Sequence, residues 1–226
     1  VFGQIYRRFL DLKQAEAQTR EAQIEAALER VRSRTMAMQR SDELIETSFV
    51  LFEQLRQLGE VGEQVSIGII DDDAGTMEMF ATSHGNQWKR STLLPYNEHD
   101  VMRRIHRAWK EGKGSLVIDL SGDALIDYNT WRKQLRDIKN VTGMTFTHER
   151  WVIHSAFFSK GNLSFSTSEP RPPEIIQLLE RFASVFDLTY TRFLDLKQAE
   201  AQTREAQIEA ALERVRSRTM AMQKSS

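Results

Sequence analysis

RFLDLKQAEAQTREAQIEAALERVRSRTMAMQ runs from Arg8 to Gln39 and, without a substitution, from Arg192 to Gln223. The copies lie 184 residues apart, far beyond the period of a solenoid unit. Each is helix-like and flanks a globular stretch. The chain therefore reads as a piece of a longer array in which globular domains alternate with helical linkers. Val1, Phe2 and Tyr6 recur as Val185, Phe186 and Tyr190, just upstream of the second copy. The chain is thus expected to begin inside the last helix of a preceding unit and to stop inside the linker toward the next. A stiff linker repeated between domains is a device for passing conformational change along a chain.

Between Gln4 and Leu58 there is neither glycine nor proline. Ala, Glu, Gln, Leu and Arg dominate, all good helix formers. A continuous helix of that length would span about 80 Å. Leu10, Ala17, Ile24, Val31, Met38, Ile45 and Phe52 recur every seven residues, the spacing of a left-handed coiled-coil seam. Four residues on from each come Gln14, Glu21, Leu28, Thr35, Asp42 and Phe49, of which Leu28 and Phe49 are good core residues. The coil is expected to be weak at first and tightest around Ile24–Val31. Polar seam positions restrict register and leave two packings of similar energy. A solvated single helix is the plainer alternative. Glu16 and Arg20 would support it as an i,i+4 pair, but Glu21, Glu25 and Glu29 repel along one face. The reading favoured is a parallel homodimeric coil. Ser41 can cap a fresh helix, which leaves a break near Gln39–Ser41 open. The phase nevertheless runs on through Ile45 and Phe52, and so predicts that linker and first domain helix act as one rod.

Removing the linkers leaves about 150 residues, a usual size for one domain. The division expected is a linker helix over 1–40, a domain over 41–190 and a second linker over 191–226. The formal net charge of −1 implies no strongly basic patch and makes nucleic acid a poor partner. No run of about 18 apolar residues exists, so no membrane span is expected. No signal peptide is visible. The absence of cysteine excludes disulfides, thiol nucleophiles, cysteine metal ligands and a thioether-linked chromophore. It points to a reducing cytoplasm.

Inside the domain, Gln64–Ile70 is β-branched and apolar, Asp71–Gly75 reads as a turn, and Thr76–Ser83 as a second strand. Three aspartates in the turn suggest calcium, but the alternating ligands and distant glutamate of a calcium loop are missing, so a plain hairpin turn is preferred. Val101–Glu111 reads as a helix with acids at its start and Gly112 at its end. Ser115–Leu120 reads as a strand, Ala124–Ile138 as a helix, and Arg150–Ser159 with Asn162–Thr167 as a strand pair. Pro170, Pro172 and Pro173 precede a helix from Glu174 onward. That helix is apolar on two sides: Ile175, Leu179, Phe182 and Phe186 on one, Ile176, Ala183 and Tyr190 on another. One side should cover the sheet and the other meet a partner, most simply the same helix of a second chain. The class expected is α+β, an antiparallel sheet with flanking helices, framed by long N- and C-terminal coiled-coil helices.

The stretches SLVIDLSGDA, HSAFFSKGNLSFSTSEP and ERFASVFDLTYTRFLDLKQAEAQTREAQIEAALERVRSRTMAMQ resemble the repeated GAF-like units of large bacterial sensor proteins, many of them histidine kinases. The resemblance covers nearly the whole chain and is looser over Ser83–Thr147, where ligand contacts would lie. It implies a cytoplasmic regulatory module that dimerises and passes a signal to an output domain. Bilin-binding GAF domains attach their chromophore through cysteine, which this chain lacks, and no cyclic-nucleotide pattern is matched. The family thus supplies a role and leaves the ligand unidentified; no cofactor is expected.

The histidines are His84, His99, His106, His148 and His154. His148 and His154 are six apart near a predicted strand, a poor match to a zinc helix. His99, between Glu98 and Asp100, reads as a helix start in preference to an acid–base pair. No phosphate-binding glycine loop, nucleophile elbow or kinase signature is present, and an orphan enzyme is the least favoured reading. Trp88, Tyr96, Tyr128 and Trp131 are the candidates to line a small-molecule pocket, with plain core as their alternative role. The dimer interface is assigned to Leu10, Ala17, Ile24, Leu28, Val31 and Met38, to Ile176, Ala183 and Tyr190, and to Ile208, Leu212 and Val215. A structural dimerising spacer without a ligand is the alternative to a sensor.

Overall fold

A computed structural model describes residues 2–59, 64–83, 91–135 and 149–224. Its elements are α1 (Phe2–Met36), a 3-10 turn (Ser41–Glu43), α2 (Leu44–Gln57), β1 (Gln64–Asp71), β2 (Thr76–Ser83), β3 (Thr92–Pro95), α3 (Asp100–Lys110), β4 (Ser115–Ser121), α4 (Gly122–Gln134), β5 (Arg150–Phe158), β6 (Gly161–Thr167) and a final helix, here α5 (Pro173–Lys224). The strands form one antiparallel sheet in the order β3-β2-β1-β6-β5-β4. The α+β class and the long terminal helices are as expected. β3 was not foreseen. It is a four-residue edge strand closed by Pro95, and proline is tolerated at an edge.

Both sheet faces are covered, and strand alternation divides the side chains between them. Val65, Ile67, Ala156, Phe158, Leu163 and Phe165 share one core with α1, α2 and α5. Ile70, Met77, Leu94, Ile118, Leu120, Trp151 and Ile153 share another with α3 and α4.

The rod expected between Gln4 and Leu58 is corrected to two helices. α1 ends at Met36, and α2 runs back along it. Arg20 Nη2 donates to the Leu58 carbonyl at 2.8 Å, and Arg34 reaches Glu43 and Glu46 at 3.1 and 2.9 Å. The bend is fastened by Glu43, whose Oε1 accepts from the backbone N–H groups of Gln39 and Arg40 at 3.1 and 3.0 Å. Glu200 of α5 adds two bonds from Ser41, through its N–H and its hydroxyl. α5 lies alongside α1 in the same direction. Arg181 pairs with Glu21 and Glu25 at 2.8 and 2.6 Å, Thr189 meets Thr35 at 2.6 Å between hydroxyl oxygens, and Arg192 donates to the Met38 carbonyl.

This arrangement reassigns much of the expected seam. Ile24, Leu28, Val31 and Met38 are buried within their own chain, as is Ala183. Ile24, Leu28, Val31 and Ala183 share a core with Leu51, Phe52, Leu55, Phe182 and Phe186. Ile176 is half-buried, and half-buried Tyr190 packs against that core. α5 is therefore covered on two sides, as its composition requires, but the second cover is α1 of the same chain. Leu10, Ala17, Ile208, Leu212 and Val215 stay exposed.

Candidate functional site

On the α3/α4 side the central strands carry small and polar residues where apolar ones would complete the core. Ser66 and Gly68 of β1 and Asn162, Ser164 and Ser166 of β6 form the floor of a cavity of about 40 Å³. Met77, Leu94, Met102, Ile105, Trp151 and Ile153 form its apolar walls, and Tyr128 and Arg132 of α4 close it. On that measure it has room for about three waters. A Cβ at Gly68 would meet Met77 Sδ and Asn162 Oδ1, so both cavity side chains would have to move to admit one.

Two features make this cavity chemically specific. Arg132 is only 4% exposed, and its guanidinium lies 5.4 Å from the Tyr128 ring centre. Arginine is rarely buried so deeply. Asn162 is 2% exposed; its amide nitrogen donates to Ser155 Oγ at 3.4 Å, while its Oδ1 has no partner among the described residues. An unpartnered buried acceptor costs stability, and one facing a cavity beside serine hydroxyls is ready to receive a donor. The set suits a small polar molecule with at least one hydrogen-bond donor.

Of the aromatic candidates, Tyr128 lines the cavity. Trp131 lies beside it, stacked on His99 at 5.0 Å and on Tyr128 at 6.0 Å, with a buried Nε1 that has no partner among the described residues. Tyr96 belongs to a different cluster. Its ring stacks on His106 at 3.8 Å and its hydroxyl donates to Asp72 Oδ1 at 3.0 Å. His106 Nε2 and Lys110 Nζ also reach Asp72, at 2.8 and 3.1 Å. Together the His106, Lys110 and Tyr96 bonds hold the Asp72 carboxyl down at about 2. The hairpin turn is thereby pinned to α3, a structural use for one of the three aspartates. The bonds favour the ionised form, so their support is in place above the ordinary carboxylate range and is lost as pH falls toward 2. Trp88 lies outside the described residues, as do His84 and His148.

His99 caps α3: Nδ1 accepts from the Val101 N–H at 3.1 Å. That bond leaves Nε2 protonated and donating to Asp127 at 3.1 Å. His154 is fully buried on the opposite sheet face, stacked on Phe165. Among the described residues no group of three or more His, Asp or Glu side chains is placed to hold a metal ion. Nor is any described helix long and apolar enough to cross a membrane.

Sequence reasoning missed Arg132, Asn162 and the serines. The signal was present in SKGNLSFST. Asn162, Ser164 and Ser166 alternate with Leu163 and Phe165 in a strand whose two faces are both covered. Polar residues on such a face must line something other than bulk water.

No protein-family model matches the chain, and no curated protein matches it. Among solved structures, the chain is similar to the crystal structure of the GAF domain from Acinetobacter phosphoenolpyruvate-protein phosphotransferase. The identity is 10% and the TM-score 0.42, over 74% of this chain and 93% of that one.

Proposed function

We propose that this chain is a sensory or relay module of a multidomain signal-transduction protein, with a small polar ligand as stimulus and its terminal helices as input and output. One observation carries the reading. β5 and β6 present Ile153, Asn162 and Ser164 to the cavity, and Ala156, Leu163 and Phe165 to the core shared by α1 and α5. A ligand that spreads or draws together these two strands acts on the seat of both long helices. The coupling has energetic content when ligand binds the two arrangements with different affinity. The sequence resemblance to GAF-like units supports an output domain such as a histidine kinase downstream. No reaction is assigned to the module itself. A cytoplasmic location belongs to this reading, on the strength of the cysteine-free sequence.

The cavity volume of about 40 Å³ favours a second reading, a ligand-free dimerising spacer. Metabolite pockets usually run to about 300 Å³ or more, so sensing requires the α3/α4 cover to open. A thermal-shift series with phosphate, small carboxylates and nucleotides separates the two. On the sensory reading at least one compound raises the melting temperature by about 2 °C or more, and Arg132→Ala abolishes the shift. A series without any shift, in a chain that unfolds cooperatively, favours the spacer. The parallel homodimer belongs to both readings. The exposed residues Leu10 and Ala17, outside the α1/α2/α5 core, support it.

A further inference from the structure

The two identical segments meet different surroundings. Ile24, Leu28 and Val31 are 9%, 1% and 0% exposed; their counterparts Ile208, Leu212 and Val215 are 55%, 52% and 62% exposed. The polar side chains divide in the same way. In the first copy Glu21 and Glu25 bind Arg181, Arg30 donates to Gln54, and Thr35 meets Thr189. In the second, Arg214 and Thr219 donate to carbonyls of their own helix, those of Ala210 and Val215. The second copy thus carries, unused, every side chain that seats residues 21–36 in the groove between α2 and α5.

We propose that residues 205–220 of one chain dock in the α2/α5 groove of a second copy, in the place that residues 21–36 occupy in their own chain. The occupant is specified by identity of sequence, since residues 21–36, identical to 205–220, already fit this groove in the first copy. The register follows directly. Thr219 lies against the partner's Thr189, Glu205 and Glu209 against the partner's Arg181, and Leu212 and Val215 enter the partner's core. The contact joins different surfaces on its two sides, so it is head-to-tail and extends into a line or a ring. Thr189 and Thr219 are 30 residues apart on α5, which sets successive domains about 45 Å apart along that helix. At low concentration the chain's own first copy holds the groove, because its tether makes the competition intramolecular. Docking between chains follows when the first copy is displaced.

The absence of cysteine allows a clean test. In the full chain carrying Thr189→Cys and Thr219→Cys, the two sulfurs lie about 45 Å apart on one helix and cannot bond within a chain. Leu28→Asp and Val31→Asp then expel the first copy from the groove. Mild oxidation is expected to give a ladder of disulfide-linked multimers. Adding Leu212→Asp and Val215→Asp should cut that ladder about tenfold or more, since each buries an unpaired charge. The proposal is overturned by a ladder indifferent to Leu212→Asp and Val215→Asp. It is equally overturned by no ladder in a chain whose circular dichroism retains native helix and strand. Predominant self-linkage of Thr219→Cys alone, the product of a parallel coil, overturns it as well. Should Leu28→Asp and Val31→Asp prevent folding, the decision passes to a chain with its first copy intact and residues 41–191 repeated after Lys224. There the sulfur at 219 must bond with the one at position 189 of the added domain within a monomer. Its failure to do so overturns the docking.

Discussion

His154 shows how one residue's surroundings dictate its chemistry. The Thr167 hydroxyl donates to the Glu169 carbonyl at 2.5 Å, so it can only accept from His154 Nε2, 3.0 Å away. That fixes the proton on Nε2 and leaves Nδ1 bare, buried and without a partner among the described residues. Charging this imidazole is unfavourable. Burial, and next the positive field of Arg171, push its pKa below the ordinary histidine value. Neutral His154 therefore supports the fold fully above about pH 6.5, and that support declines as pH falls through the window beneath it. Urea denaturation of the wild type should show stability falling between about pH 7 and about pH 5.5. His154→Phe, which keeps the stacking on Phe165, should flatten that slope. Equal slopes would mean that the proton is accommodated elsewhere. Nothing in the sequence revealed this environment. The hydroxyl that sets its tautomer sits on a neighbouring strand, 13 residues further along the chain.

Among the elements, the bend between α1 and α2 departs most from what periodicity predicts. Residues 37–40 leave the helix, while the second copy remains helical through Lys224. Gln39 and its neighbours are therefore indifferent between helix and turn, and the surroundings decide. Downstream of the first copy Glu43 captures two N–H groups, Glu200 captures Ser41, and the Met38 side chain is fully buried. Glu43→Ala should raise amide exchange at Gln39 and Arg40 by about tenfold or more relative to α2, through local opening. Unchanged exchange would place the cause of the bend in packing alone. A seven-residue repeat shows that a stripe must be buried; it says nothing about what buries it. The stripe was legible from sequence, and so were the hairpin, the strand pair and the two-sided final helix. Its cover was not, because intrachain and interchain partners offer the same apolar surface. β3 escaped notice because four residues ending in proline carry too little alternation to register.

For the whole molecule, the sheet separates a polar cavity from a three-helix layer, and both long helices belong to that layer. Residues 21–36 of the first copy are structural in this arrangement, whereas their counterparts 205–220 in the second are exposed. The module is consequently asymmetric from end to end although its two ends share one sequence. The antiparallel sheet with flanking helices was legible because it rests on the order of elements. The cavity was not, since it is assembled from β1, β6 and α4, which are far apart in the chain.

The most direct test compares two chemically identical substitutions, Leu28→Ala and Leu212→Ala, by urea denaturation at micromolar concentration. Leu28 is 1% exposed and Leu212 is 52% exposed. The structure predicts that Leu28→Ala costs about 2–5 kcal/mol, whereas Leu212→Ala stays within about 0.5 kcal/mol of the wild type. Equal losses at the two positions would contradict it, because they would place both copies in the same environment.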